Sequence, residues 1–258
     1  MKRRIASKTM AACVWTLSTA ATAVAAETDV NIPITANQAF DAVVQQVDPR
    51  TGAKARVALV DVRTTAEYFW VGACGKVERI TTTSGQEFIP HNGKVVSQWG
   101  LFLAFEVEGP KGLRPVLLPV DKVGAVKTVD ISVHVPTNLW DDANGTQRPN
   151  PDFAATIESL SANFDVLILM CRSGQRSNTR AFNTSLFAAI YEIDDPKGTD
   201  GHGGFQGASY HDVYNGYRGY PGRGTWMQET PSVSWSDARL PVHIGWTPSK
   251  PAPAAPPQ

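Results

Sequence analysis

An excess of charge of either sign is missing: 24 basic and 24 acidic side chains among 258 residues leave no formal net charge. That removes the bulk electrostatic footprint expected of a chain that binds nucleic acid or an anionic membrane surface. Cysteine is scarce, three in all, with no Cys-x-x-Cys pair. His91, His134, His202, His211 and His243 stand at none of the spacings used by metal ligands, so no metal is expected. The glycines around Gly201 lack the preceding strand and following helix of a nucleotide-binding turn, and no cofactor is expected. No segment repeats. No uncharged run reaches the ~20 strongly apolar residues that a membrane-spanning helix needs.

What is there begins with Met1-Lys2-Arg3-Arg4, followed after Lys8 by an uncharged run, rich in Ala and Thr, from Met10 to Ala26. This is the layout of a signal peptide over residues 1–26, cut after Ala25 or Ala26, and it implies export to a periplasm with no membrane attachment after cleavage. Cys13 precedes the apolar stretch, the reverse of a lipoprotein signal. The rest is a domain over 27–247 and a Pro/Ala-rich tail over 248–258, read as disordered. Cys74 and Cys171 remain, and a domain of this size can bury a core without a disulfide.

Gln38 to Val44 has helical spacing behind an Asn or Thr cap. Arg56 to Val62 is a β-branched apolar run without alternation, the pattern of a strand buried on both faces of a parallel sheet, and Thr64-Thr65-Ala66-Glu67 can start the next helix. From about 75 to 127 short β-prone runs broken by Gly and Pro predict a β-rich insertion. Asp152 to Leu160 reads as a helix after Pro151, and Asp165 to Met170 as a second buried strand. Asn178 to Ile190 places Ala181, Phe182, Leu186 and Ile190 on one helical face. The fold class is α/β.

The second strand runs straight into Cys171-Arg172-Ser173-Gly174-Gln175-Arg176-Ser177. A cysteine at a strand tip opening a loop into a helix faces converging N–H groups and the positive helix end. With Arg172 and Arg176 adjacent, such settings bring thiol pKa values down to about 3.5 to 7.5. Gly174 permits a tight turn, and Ser173 and Ser177 can hydrogen-bond an anion. A tyrosine-phosphatase loop needs five residues between Cys and Arg; here four lie between Cys171 and Arg176, a smaller cradle suited to a single sulfur atom.

This loop resembles the active-site loop of the rhodanese family, and Leu59-Val60-Asp61-Val62-Arg63-Thr64-Thr65-Ala66-Glu67-Tyr68 is similar to its first signature. Weaker echoes follow in order: Val135-Pro136, Asn150-Pro151-Asp152-Phe153, Gly203-Gly204-Phe205-Gln206-Gly207 and Trp235 to Val242. The resemblance spans most of residues 36 to 245. It implies a rhodanese-like central parallel sheet flanked by helices. It also implies a thiosulfate-type sulfurtransferase or sulfur carrier in which Cys171 takes the outer sulfur of a small sulfur-containing anion as a persulfide and passes it to a thiol or cyanide. In that scheme the loop N–H groups stabilise the sulfur and Arg172 and Arg176 hold the donor. Asp61 and Arg63 are structural supports, with Arg63 placed to brace the loop through an ion pair.

The chain departs from the family after Val71-Gly72, where Ala73-Cys74 replaces the usual Gly-His. Cys74 is either a resolving thiol for Cys171 or a small buried hydrophobe. Tyr210 to Arg223, rich in Tyr, Gly and Arg, is either a lid over the site or a surface loop. Two rival functions remain: a non-catalytic interaction module, and a redox protein cycling a Cys74–Cys171 disulfide.

Overall fold

In the computed structural model the described residues are 32–98, 100–174, 176–177, 188–193, 204–205, 226–233, 242–243 and 245–247. The segments expected to form a leader (1–26) and a tail (248–258), the Tyr210–Arg223 segment and most of the helix expected over Asn178 to Ile190 lie outside them. Along the chain come β1 (Ile32–Ile34), α1 (Ala36–Gln45), β2 (Val57–Asp61), α2 (Thr65–Val71), β3 (Ala73–Thr82), β4 (Glu87–Phe88), β5 (Val95–Gln98) and β6 (Phe102–Gly109). Then follow β7 (Gly112–Pro119), β8 (Val123–Asp130), β9 (Ser132–His134), β10 (Asn138–Asp141), β11 (Thr146–Pro149), α3 (Phe153–Asn163), β12 (Val166–Met170) and β13 (Ala189–Ile193). A short helix, Trp226–Glu229, precedes β14 (Ser232–Val233), β15 (Val242–His243) and β16 (Gly245–Thr247).

The protein is mixed α/β, centred on a five-stranded sheet of order β1-β13-β12-β2-β9 in which every neighbouring pair is parallel. All five residues of β2 and all five of β12 are buried, which is why both read as unbroken apolar runs. Alternation divides their side chains between two cores. Val57, Leu59, Val166, Ile168 and Met170 join Phe40 of α1 and Trp226 on one face; Ala58, Val60, Leu167 and Leu169 join Ile157 of α3 on the other. Each of the Val, Leu, Ile, Met and Phe side chains among them contributes roughly 1.5–3 kcal/mol.

Local chemistry sets the helix ends. The Thr35 hydroxyl accepts from Gln38 N and the Gln38 side chain accepts from Thr35 N, a capping box that satisfies two otherwise orphaned donors. α1 stops at Gln46, in the left-handed region at φ 53°. Its side chain there donates to the Val43 and Val57 carbonyls and accepts from Val57 N, binding the helix end to β2. Thr64 and Glu67 form a second capping box at α2.

Between Ala73 and Asp130 the chain is mostly strand. β3 pairs antiparallel with β4 and β8, while β5, β6 and β7 form an antiparallel meander. The C-terminal strands complete these sheets: β14 adds to β3, and β16 adds parallel to β5. β7 is a sheet edge, where Pro115 and Pro119, on the same side of the strand, remove donors that another chain's strand would need. A cleft of about 900 Å³ lies on this meander, lined by Asp41, Lys94, Glu106, Leu113, Pro115 and Leu117 among others; the Cys171 loop is not part of it.

One expected element is corrected. The helical reading extended to Ile190, yet Ala189 to Ile193 is a strand, held between β12 and β1. Ile190, Tyr191 and Ile193 supply the β-branched and aromatic side chains that a strand between two neighbours packs.

Candidate active site

The parallel sheet delivers Cys171 to the C-terminal tip of β12, its central strand. The Sγ atom is enclosed, with the residue 0% exposed. Gly174 N donates to Sγ at 3.1 Å and Arg176 N at 3.3 Å. The Ser177 hydroxyl lies 3.5 Å from Sγ and 3.0 Å from the Gly174 carbonyl; its single proton serves the nearer carbonyl, so Ser177 chiefly fixes the turn. Gly174 sits at φ +87°, the left-handed conformation that lets the chain curl back and aim its own N–H at the sulfur. Two backbone dipoles fixed on one sulfur stabilise negative charge there without needing to reorganise.

The two loop arginines separate in role. The Arg176 guanidinium forms a bidentate pair with Glu67, both contacts at 2.7 Å. Burial alone would raise the Glu67 carboxyl; the Arg176 guanidinium and the Thr64 cap outweigh it and hold Glu67 at about 2 instead of its ordinary 4.5. Arg172 is half-buried, and its Nε is a buried donor with no hydrogen-bond partner. Of the two arginines expected to hold a donor, Arg176 is paired with Glu67 and Arg172 keeps a buried donor without a hydrogen-bond partner. Ser173 is half-buried at the loop's bend. Gln175 lies outside the described residues.

The Glu67–Arg176 pair ties α2 to the loop, and it has a pH signature. Because the folded value of Glu67 is depressed, its contribution is complete above pH 4.5 and lost as pH falls through about 2. Thermal unfolding between pH 5 and 2 is expected to show a steeper loss of stability in the native chain than in Glu67→Gln, and parallel curves would contradict the pairing.

Asp61 and Arg63 are both 0% exposed. Arg63 Nη2 reaches Asp61 Oδ2 at 2.5 Å and the Gly72 carbonyl at 2.6 Å. The expectation that Arg63 braces the loop by an ion pair is corrected: its ion pair is with Asp61, and it supports the loop through Phe205. The Arg63 guanidinium carbon lies 3.9 Å from the Phe205 ring centroid, and Phe205 N donates to the Cys171 carbonyl at 2.8 Å. Next to it, Gly204 has φ +74°, and a Cβ there would stand 2.4 Å from the Cys171 carbonyl oxygen and 2.7 Å from Arg172 C and O. Gly204→Ala is thus expected to cost about 2 kcal/mol or more and to lower activity by displacing the sulfur. A melting temperature and turnover equal to those of the native chain would sink this clamp.

Cys74 stands apart. It packs among the core residues on the face opposite Cys171, its Sγ 3.1 Å from Met170 Sδ, and both cysteines are free thiols. Burial, aided by the Asp61 carboxylate, pushes the Cys74 thiol well above its ordinary value. Of its two readings, the buried hydrophobe is the one this packing fits.

Four residues around the site escaped the sequence. Glu67 was read only as a helix-starting residue, although its spacing from Thr64 was a capping signal; nothing local paired it with Arg176. Phe205 and Gly204 lie in a segment whose resemblance to the family assigns them no role. Glu192 is a buried carboxylate that alternation along β13 places on the Cys171 side of the sheet. Among the described residues no group of His, Cys, Asp and Glu could hold a metal ion. The chain matches no family model and no curated protein.

Proposed function

We propose that this protein is a rhodanese-type sulfurtransferase or persulfide carrier acting through Cys171. The observation that carries the reading is the convergence of Gly174 N and Arg176 N on an unpaired cysteine sulfur at the tip of a buried parallel strand. The strand order β1-β13-β12-β2-β9, with the cysteine on the central strand and the Asp61–Arg63 signature on its neighbour, supports it further.

In the proposed reaction the Cys171 thiolate attacks the outer sulfur of a small donor. An S–S bond forms at Sγ, the donor's own bond to that sulfur breaks, and the electron pair leaves with the remainder of the donor. A thiol or cyanide then attacks the outer persulfide sulfur and regenerates Cys171. The backbone donors accommodate charge on sulfur in both halves, and Arg172 supplies the cation that draws an anion to the loop. The redox alternative is disfavoured because Cys74 lies across the sheet. Thiocyanate formation from cyanide and a sulfane-sulfur donor, above the rate without protein, tests the proposal. A protein that forms no thiocyanate and gains no sulfur with any such donor would instead be a binding module.

A further inference from the structure

We infer that the cleft on the β5–β6–β7 meander is a groove for an extended proline-rich segment, and that the segment it takes is this chain's own residues 248–258, with Lys250 set beside Glu106. The inference is independent of the persulfide reading, since the Cys171 loop is not part of this cleft.

Strand register fixes what the groove presents. Ala104 of β6 pairs with Val96 of β5 and with Leu117 of β7, and Glu106 pairs with Pro115. Directly paired residues share a face of the sheet, so these side chains stand on the face opposite the one that buries Val95, Leu103, Phe105 and Leu118. That outer face is the floor of the cleft, and it is apolar and uncovered: Leu113 is 46% and Leu117 53% exposed. A single exposed leucine is ordinary, but two that flank Pro115 in a cleft of about 900 Å³ form a contiguous patch of the kind that takes a partner. At the polar end Lys94 pairs with Asp41 at 3.4 Å and His91 with Glu108 at 3.0 Å. Glu106 forms no ion pair among the described residues, which leaves the groove a carboxylate for a cation to meet.

The occupant is indicated by where the chain leaves the sheet. β16 pairs parallel with β5, and its last residue, Thr247, stands opposite Gln98, which lines the cleft. Residues 248–258 therefore start at the rim of the groove. Crossing from β16 to β7 takes three strand spacings, about 14 Å, whereas 248–258 in the polyproline II conformation extend about 34 Å. Pro248, Pro251, Pro253, Pro256 and Pro257 favour that conformation, in which the backbone makes no hydrogen bonds of its own and recognition falls to apolar grooves. Burying Pro and Ala side chains costs little rotamer freedom. Lys250 is the only charged side chain among these residues, and it complements Glu106. A tether at the rim gives an effective concentration on the order of mM, so that even a weak groove is filled by its own chain.

The test is zero-length carbodiimide coupling of the full chain in dilute solution, followed by peptide mapping of the monomer. The expected product is an amide between the Lys250 side-chain nitrogen and the Glu106 carboxyl. Leu117→Arg, at an exposed position, is expected to lower its yield on the order of tenfold by removing apolar surface and repelling Lys250. Pro251→Gly combined with Pro253→Gly is expected to lower it about threefold or more, because a freer segment loses more entropy on docking. This second variant touches none of the described elements, so it decides the matter if Leu117→Arg fails to fold. Absence of a Lys250–Glu106 amide in the native chain, or a yield unchanged in folded Leu117→Arg or in the proline variant, overturns the inference. An amide that forms only between labelled and unlabelled chains in an isotopic mixture assigns the groove to the tail of a second copy and overturns it as well.

Discussion

Replacing Cys171 by Ser is expected to abolish sulfur loading, a loss on the order of a thousandfold or more, with little change in stability. The substitution keeps nearly the same shape, and a serine oxygen can accept the hydrogen bonds that Gly174 N and Arg176 N now make to Sγ. What disappears is the polarisable nucleophile, and among the described residues no second thiol shares its face of the sheet: Cys74 packs on the other face with a raised thiol pKa. Cys74→Ala should accordingly load sulfur like the native chain, at a cost to packing alone. Retained loading in Cys171→Ser, measured as sulfur per protein after a single turnover, would assign the chemistry elsewhere.

The largest effect on stability is expected from Asp61→Ala. The substitution strands a guanidinium that is 0% exposed, whose Nη1 already has no partner, and breaking a buried pair in this way costs about 3–5 kcal/mol. For a domain of this size that lowers the melting temperature by on the order of 10 °C. Asp61→Leu combined with Arg63→Met should recover part of the loss, because no buried charge is then left unpaired, although the Gly72 carbonyl and the Phe205 ring lose their partner. The double variant should still load sulfur poorly, since Phe205 holds the Cys171 carbonyl from beneath. A single variant that melts within about 2 °C of the native chain would show that the pair is not the support described here.

Much of this was legible in the sequence where one local signal decides. Val166 to Met170 had to be a doubly buried strand, since five consecutive apolar residues admit no solvent face, and that placed Cys171 at its tip. Thr64 and Glu67 announced a helix start by spacing alone. Glu67 illustrates the limit as well: its partner Arg176 lies 109 residues away, and the sheet order that brings β2 beside β12 is not written in either segment. Cys74 was ambiguous because chain proximity to Asp61 says nothing about which face of a sheet a side chain occupies. The strand at Ala189 to Ile193 was hidden by Glu192, whose charge interrupts the apolar run, so that Ile190 fell into register with the preceding helical pattern.

The measurement that tests the central claim most directly is peptide mapping of the full chain after hydrogen disulfide treatment, followed by addition of cyanide. One extra sulfur on the Cys171 peptide, none on the Cys74 peptide, and its release as thiocyanate is the result predicted here. An unmodified Cys171, or a peptide in which Cys74 and Cys171 are joined, would contradict it.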